Sequence, residues 1–295
     1  MYAFGLLKSS KGNIGPVTWK RAVTKNSTQE LVRKMTGKAI RLRRIFDNMS
    51  GRTVIVPMDH GISLGPVKGI ENIGSTVDKL AEGGASAIVV HKGLVPFLGP
   101  AVGAKLGLIV HISASTSLSP DPNYKVLVAS ADAAASIGAD AISIHCNIGG
   151  DNEEKMVADF GAVADRCREL GMPLLAMCYP RGKSVKSAFD VDAIKQCARL
   201  SAELGADIVK TSYTGSIDTF KEVVRGTPIP VVIAGGPKMD SDEALLQMVH
   251  DSIQAGGKGV SIGRNVFQHD DVIGITRAMG RVVFEDMSPK DAYGR

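Results

Sequence analysis

The stretch ADIVKTSYTG, residues 206–215, contains the unit from which most of the chain is built. Ile208 and Val209 predict a short buried strand, Lys210 places a cation at its end, and a glycine-containing turn follows. A charged side chain is disfavoured in a protein interior unless it is paired or has a chemical use. The lysine at the end of this strand therefore becomes the first candidate functional residue.

The same unit recurs from Thr53 onward: a short β-branched run, a loop rich in Gly, His or Lys, and a segment of helical period that ends near glycine. The eight runs are TVIVPMDHG (53–61), AIVVHKG (87–93), GLIVHIS (107–113), AISIHCN (141–147), PLLAMCYPRG (173–182), DIVKTSY (207–213), PVVIAGGPK (230–238) and GVSIGRN (259–265). Apolar strands that alternate with helices indicate a parallel sheet covered by helices. Eight such units predict an α/β fold, a (β/α)₈ TIM barrel.

An open, doubly wound sheet is the alternative architecture. A dinucleotide-binding sheet of that kind has GxGxxG after its first strand and an acidic residue about 20 residues further on. The first run continues as MDHGISLGP, which has neither that spacing nor the entry into a helix. The sequence therefore favours one closed barrel over residues 41–295.

The basic character of the chain is concentrated at its N-terminus. Residues 1–52 contain 12 Lys/Arg against 2 Asp/Glu, whereas residues 53–295 contain 23 against 28, so the net charge of +5 combines +10 and −5. We interpret residues 1–40 as a basic extension with a leading helix that plugs the barrel or pairs subunits. Binding to nucleic acid is the alternative, but the extension contains no recognised nucleic-acid motif.

Hydropathy and cysteine spacing bear on the compartment. No apolar run approaches the roughly 18 residues of a membrane span, and the N-terminus lacks the apolar core of a signal peptide. The four cysteines have no CxxC spacing and lie in predicted strands and helices, so we expect buried free thiols. A cytoplasmic protein is expected.

Polar residues close several of the runs, and in a barrel the carboxyl ends of the strands meet at one face. Lys210, desolvated there, would have a lowered pKa and could attack a carbonyl to form a Schiff base. Tyr179, whose pKa a nearby cation could lower, and Asp59 are candidates for moving the proton. The alternatives are a lysine that reaches outward or pairs with a carboxylate, a structural tyrosine, and an aspartate that caps a helix.

Glycines close the seventh and eighth runs. Gly235 and Gly236 in AGGPK, with Gly263 and Arg264 in GRN, occupy the position where barrels hold a phosphate on backbone N–H groups. Glycines lack the Cβ atoms that would keep phosphate oxygens away from those groups, and an arginine adds a charge-assisted contact. A tight loop without a ligand is the alternative.

Four histidines near strand ends suggest a metal site as a further alternative. They are His60, His91, His111 and His145. No HxH or HExxH pair occurs, and isolated histidines more often move protons or satisfy hydrogen bonds. We therefore expect no metal, and we assign His60, with Arg181, to substrate or phosphate binding.

Five motifs in barrel order resemble the archaeal-type class I aldolase family: VPMDHG, CYPRGK, GADIVKTSYTG, AGGPK and IGRNVFQHDD. The resemblance extends from about residue 41 to 283. It implies that Lys210 forms the Schiff base, that Tyr179 donates a proton and that Asp59 accepts one. It also implies that Gly235, Gly236, Gly263 and Arg264 hold the substrate phosphate, that the chain forms a homo-oligomer, and that no cofactor is required.

The resemblance implies one of three related activities, each with a phosphorylated ketose donor and an aldehyde acceptor. The first joins a ketose-phosphate-derived fragment to L-aspartate semialdehyde, on an alternative route to 3-dehydroquinate. The others are fructose-bisphosphate cleavage and the joining of dihydroxyacetone phosphate to aspartate semialdehyde. Met177 and Cys178 stand where fructose-bisphosphate aldolases of this family often have a tryptophan, which favours the first activity. A non-catalytic barrel that binds sugar phosphates or nucleic acid is the alternative from another class.

Overall fold

The structure, a computed structural model, describes residues 37–293. Within that range eight parallel strands form a closed barrel in the order β1-β8-β7-β6-β5-β4-β3-β2. Their bounds are β1 Thr53–Pro57, β2 Ala87–His91, β3 Gly107–His111, β4 Ala141–Ile148, β5 Leu174–Pro180, β6 Ile208–Thr211, β7 Val231–Ala234 and β8 Gly259–Ser261. The predicted TIM barrel is confirmed. Most of the eight predicted runs extend past the observed strands, because their last residues leave the sheet and begin the loops.

Helices cover the outside of the barrel. They span residues 37–42, Gly61–Leu64, Ile73–Glu82, Ala131–Ser136, Glu153–Leu170, Val191–Glu203, Ile217–Arg225, Asp242–Gln254, Arg264–Phe267, Val272–Glu285 and Pro289–Tyr293, with a 3₁₀ helix at Lys92–Phe97. Several begin at a side chain that accepts a hydrogen bond from the first turn, as at Ser216, Ser241 and Asp190. The apolar sides of these helices pack on the outward-facing strand residues.

The register of the strands shows which residues face the barrel interior. Paired residues of neighbouring parallel strands face the same side, and successive residues of one strand face opposite sides. Lys210 is opposite Met177 on one side and Val232 on the other, and Met177 and Val232 belong to the interior cluster. Lys210 therefore points into the barrel.

The segment that precedes β1 closes the amino end of the barrel. Ile45 is fully buried in the interior cluster, and Leu42 and Phe46 pack against that cluster. The Thr53 hydroxyl donates a 2.6 Å hydrogen bond to the Ile45 carbonyl. Residues 1–36 of the basic extension lie outside the described residues, so the extension and its leading helix stay a prediction.

Two further features complete the fold. A small antiparallel hairpin, Ser113–Ala114 with Val126–Leu127, follows β3. The four cysteines are buried and free, as the sequence predicted. No helix among residues 37–293 combines the length and the apolar character needed to cross a membrane.

Candidate active site

The candidate site lies at the carboxyl ends of the strands, around Lys210. Lys210 is only 8% exposed. Burial lowers its pKa to about 8, the guanidinium groups of Arg181 and Arg264 act in the same direction, and the Asp59 carboxylate opposes them. A lysine of this kind holds an appreciable fraction of free amine near neutral pH and can attack a carbonyl.

Asp59 lies just beyond β1 and is ionised. Burial alone would raise its pKa. At the acidic pH where this carboxyl group titrates, the protonated His111, His60 and His91 and the Lys210 ammonium group outweigh burial and lower the pKa to about 2. Its oxygens lie 3.7 Å from His60 Nδ1 and 3.9 Å from His111 Nε2. Within residues 37–293 it forms no direct ion pair with Lys210, so the two groups interact through the field across the barrel mouth.

Tyr179 lies on β5 opposite Asn147 of β4, and its ring belongs to the interior cluster. The His145 ring meets it edge to face at 5.2 Å, and the Arg181 guanidinium lies 4.7 Å from the ring centre. Burial raises the Tyr179 pKa above its usual value, although Arg181 lowers it in part. The expectation of a lowered pKa is therefore wrong: in the free enzyme this phenol retains its proton and is a hydrogen-bond donor.

The imidazoles around the mouth form a neutral, ordered wall. Burial lowers the pKa of His111 to about 4 and that of His145 well below its usual value. His111 Nδ1 lies 2.8 Å from the Ser143 hydroxyl, and His145 Nε2 lies 2.9 Å from Asn147 Oδ1. Both nitrogens therefore lie within hydrogen-bond distance of polar side chains of β4. Residues 37–293 contain no group of three or more His, Cys, Asp or Glu side chains arranged to hold a metal ion.

The glycine loops after β7 and β8 are held against each other. Arg264 donates a 2.8 Å hydrogen bond to the Gly236 carbonyl. The Asn265 amide donates to the Gly235 and Pro237 carbonyls at 3.1 and 3.0 Å, and it accepts from the Met239 amide at 2.7 Å. Asn265 was not singled out in the sequence, although it directly follows Gly263 and Arg264 in GRN.

The geometry of the loops leaves open donors. Gly236 has a φ of 64°, which favours glycine, and a Cβ there would meet nothing within 4 Å. Among the described residues, the amide N–H groups of Gly236, Gly263 and Arg264 have no backbone acceptor. The Ser261 hydroxyl is buried and faces the interior with Ile55, and it has no partner in residues 37–293 either. The loops therefore offer donors where an anion could bind.

Gly263 has a second, steric role. A Cβ at this position would lie 2.5 Å from the Pro57 carbonyl oxygen and 2.7 Å from His60 Cε1. His60 packs edge to face on Phe267 at 5.2 Å, and its Nδ1 is buried without a hydrogen-bond partner among the described residues. The absence of a side chain at Gly263 therefore lets the loop after β8 pack against β1 and the His60 ring.

The structure brings all the sequence-predicted site residues to this one face. Lys210 and Tyr179 are buried at the mouth, Asp59 is half-buried there, and Arg181 covers the tyrosine. His60 and the four residues of the glycine loops close the β7, β8 and β1 side. With its histidines neutral, the mouth carries the Asp59 carboxylate and several cations, which suits an anionic substrate.

A buried amine of lowered pKa, a neutral phenol and a carboxylate at the mouth of a (β/α)₈ barrel are the groups that Schiff-base aldolase chemistry requires. The chain belongs to the DeoC/LacD family of aldolases, whose family model matches residues 53–269. It is therefore an enzyme rather than a non-catalytic barrel.

Curated relatives cover most of the chain. It is 44% identical over 255 residues to 2-amino-3,7-dideoxy-D-threo-hept-6-ulosonate synthase 1 of Archaeoglobus fulgidus, covering 86% of this chain and 93% of the relative. It is 41% identical over 235 residues to 2-amino-4,5-dihydroxy-6-oxo-7-(phosphonooxy)heptanoate synthase of Streptomyces griseus, covering 79% of this chain and 85% of the relative.

Solved structures agree with this family. The barrel is similar to a Schiff-base-forming fructose-1,6-bisphosphate aldolase, with a TM-score of 0.78 and 28% identity over 84% of this chain and 100% of that chain. It is also similar to an archaeal fructose-1,6-bisphosphate aldolase whose catalytic lysine is covalently bound to a carbinolamine, with a TM-score of 0.76 and 28% identity over 84% of this chain and 99% of that one.

Proposed function

We propose that the chain joins a ketose-phosphate-derived fragment to L-aspartate semialdehyde through a Schiff base on Lys210, giving 2-amino-3,7-dideoxy-D-threo-hept-6-ulosonate for an alternative route to 3-dehydroquinate. The observation that carries the proposal is the inward position of Lys210, whose pKa burial lowers to about 8. The identity to the Archaeoglobus relative supports the choice of product. The proposal includes a homo-oligomer in the cytoplasm.

Imine formation begins with the unprotonated fraction of Lys210. Its Nζ adds to the ketone carbon, and a proton moves from nitrogen to the carbonyl oxygen. The carbinolamine hydroxyl group then takes up a proton from solvent and leaves as water, which gives an iminium ion. The bond between the α- and β-carbons then breaks: its electron pair forms the enamine double bond, the iminium nitrogen takes up the π electrons, and the rest of the donor leaves as an aldehyde. Asp59, ionised at neutral pH, accepts the proton from the hydroxyl group of the donor as that bond breaks.

Tyr179 acts in the second half of the reaction. The enamine carbon attacks the aldehyde of the acceptor, and the electron pair of the aldehyde moves onto its oxygen. The Tyr179 phenol, which burial keeps protonated, donates its proton to that oxygen. The proton held by Asp59 restores the phenol, and water hydrolyses the new imine to release the product and the free amine.

The glycine loops are the proposed phosphate site. Open amide N–H groups at Gly236, Gly263 and Arg264 and the Arg264 guanidinium supply donors and positive charge. His60, beside Gly263, and Arg181, beside Tyr179, would contact the remaining polar groups of the substrate.

A second candidate function uses the same machinery with dihydroxyacetone phosphate as donor. The names of the two relatives' products agree in the 2-amino acid end and the ketone at position 6 but differ at position 7, which is deoxy in one and phosphorylated in the other. In the phosphorylated product the phosphate is next to the imine carbon. The open donors of the β7 and β8 loops, close to Lys210, favour this candidate.

Borohydride trapping followed by intact-protein mass spectrometry tests both candidates. The donors are a deoxy-diulose phosphate, dihydroxyacetone phosphate and fructose 1,6-bisphosphate, each with and without aspartate semialdehyde. We expect an adduct on Lys210 that is absent from Lys210→Met. The donor that is consumed only when aspartate semialdehyde is present identifies which of the two candidate reactions the protein catalyses. An adduct that persists in Lys210→Met, or full turnover by that variant, contradicts the Schiff-base assignment.

Tyr179→Phe tests the proton donor separately. The variant keeps the ring that packs on His145 and Arg181 and loses only the hydroxyl group. We expect it to accumulate the trapped adduct while turnover falls about 10²- to 10⁴-fold, as for loss of a general acid. Single-turnover kinetics with mass detection distinguish the two steps. Wild-type turnover in the variant would remove Tyr179 from the mechanism.

A further inference from the structure

The hairpin after β3 carries a lysine that faces the candidate site. Lys125 directly precedes the second hairpin strand and lies beside Ser115, whose hydroxyl accepts a short hydrogen bond from its ammonium group. Ser115 in turn donates to the Pro122 carbonyl at 2.7 Å. Lys125 lines a small cavity of about 40 Å³ together with Asp59, His91, His111 and His145. It is therefore part of the wall around the site.

No carboxylate forms an ion pair with Lys125 within residues 37–293, although those of Asp59 and Asp121 favour its charged form. Other lysines of the described chain pair with carboxylates, as Lys38 does with Asp207 at 3.0 Å and Lys195 with Asp192 at 3.0 Å. Within residues 37–293 Lys125 has no such ion pair, and a hydroxyl group is its hydrogen-bond partner. Burial lowers the pKa of Lys125, and the nearby Arg181 guanidinium adds to this effect. An anion bound between these two cations would stabilise both.

Arg181, directly after β5, is the second cation near Lys125. It lies over the Tyr179 ring, has no ion pair within residues 37–293, and lines an open cavity of about 580 Å³ with Asn123, Asn147 and Lys183. The Asn147 amide donates to the Asn123 carbonyl at 2.6 Å, which ties the hairpin loop to the end of β4. The hairpin is thus joined to the end of β4, beside the end of β5 that leads to Arg181.

The order of the strands places the hairpin opposite the glycine loops. The glycine loops follow β7 and β8, whereas the hairpin lies above β3 and β4, on the far side of the closed barrel. Lys210 and Tyr179, on β6 and β5, lie between the two along one side of the mouth. A substrate with its phosphate on the glycine loops and its imine carbon on Lys210 would extend its other end toward Lys125.

We propose that Lys125, together with Arg181, binds the carboxylate of the aldehyde acceptor and so selects an acceptor with an anionic end. This inference rests on the proposed function, because both candidate products have a carboxylate at position 1, remote from the ketone at position 6. The same cations could instead bind the phosphate of a phosphorylated aldehyde, so the test includes both anions.

The test compares Lys125→Met with wild type on three matched aldehydes: aspartate semialdehyde, succinic semialdehyde and 3-aminopropanal. Succinic semialdehyde keeps the carboxylate and lacks the amine, whereas 3-aminopropanal keeps the amine and lacks the carboxylate. Loss of a charge-assisted contact predicts that kcat/KM falls about 10- to 100-fold for the two carboxylates and less than about 2-fold for 3-aminopropanal. Lys186→Met, which removes an exposed lysine from the loop after β5, is the charge-matched control and should behave as wild type.

The outcomes separate this inference from the function on which it rests. Trapping with the ketose donor alone needs only Lys210. Wild-type protein that traps no donor would therefore refute the proposed function. Lys125→Met protein that still traps the donor is folded and active in its first step. Equal losses on all three aldehydes, or none, overturn the role of Lys125. A larger loss with glyceraldehyde 3-phosphate than with aspartate semialdehyde overturns the carboxylate assignment. If Lys125→Met does not trap the donor, Lys125→Arg must retain the preference for the carboxylate aldehydes and Lys125→Gln must lose it.

Discussion

The pH dependence of imine formation should report the pKa of Lys210 directly. Burial lowers this pKa from 10.5 to about 8, and Arg181 and Arg264 contribute in the same direction. At pH 7 a group with a pKa of about 8 is unprotonated in about 9% of molecules, against about 0.03% for a lysine at 10.5. The barrel environment therefore raises the amount of reactive amine about 300-fold.

The assay is the initial rate of adduct formation with dihydroxyacetone phosphate and cyanoborohydride, followed by intact mass between pH 6 and 10. We expect the rate to rise about tenfold per pH unit at the acidic end and to level off above a midpoint near 8. Lys210→Met, under identical conditions, gives the background from other amines. A midpoint near 10 would mean that Lys210 is solvated like a surface lysine, and the argument from burial would fail.

Asp59→Asn supplies the internal check on this reasoning. The Asp59 carboxylate raises the pKa of Lys210 against the effect of burial. Its neutralisation should therefore move the midpoint of trapping to a pH below that of the wild type, even as later proton-transfer steps slow. An upward shift in this variant would refute the electrostatic coupling between the two groups, because no attraction would then have been removed.

Two further predictions concern stability. The folded-state pKa of Lys210 (about 8) lies below the ordinary 10.5, so the unfolded chain binds more protons between these pH values. The free energy of unfolding should therefore rise with pH across that window by about 3 kcal/mol. Urea unfolding of Lys210→Met should lack this rise, and an identical rise in the variant would contradict the prediction. Gly263→Ala would place a Cβ 2.5 Å from the Pro57 carbonyl oxygen and should destabilise the fold by about 1–3 kcal/mol in thermal unfolding. The control Gly161→Ala, whose Cβ would meet nothing within 4 Å, should not destabilise it. Equal effects of the two substitutions would show that the loop after β8 tolerates a side chain.

The barrel and the three central residues could be predicted because both follow from periodicity. Apolar runs that alternate with helices specify parallel strands, and parallel strands bring their carboxyl ends together. Lys210, Tyr179 and Asp59 each close such a run, so their convergence required no knowledge of long-range contacts. The same reasoning placed the glycines of the β7 and β8 loops beside them.

The remaining features depend on packing that no local pattern encodes. Lys125 lies in an irregular loop, and only the hairpin pairing of residues 113–114 with 126–127 carries it to the mouth. Asn265 acts through carbonyl groups nearly thirty residues away in sequence. The pKa of Tyr179 was predicted in the wrong direction because the neighbouring cation is visible in the sequence, whereas the depth of burial that outweighs it is not.

Asp59 and Lys210 also explain why one site can carry the whole reaction without reorganising its charges. At neutral pH most molecules hold a carboxylate on Asp59 and an ammonium group on Lys210 at the same barrel mouth. When the free amine of the minor form becomes an iminium ion, a single positive charge returns to the same position opposite the same carboxylate. The Asp59 carboxylate, which favours the ammonium against the effect of burial, therefore favours the iminium intermediate in the same way, as expected for a preorganised site. The neutral Tyr179 and histidines leave this balance unchanged until the aldehyde oxygen takes a proton.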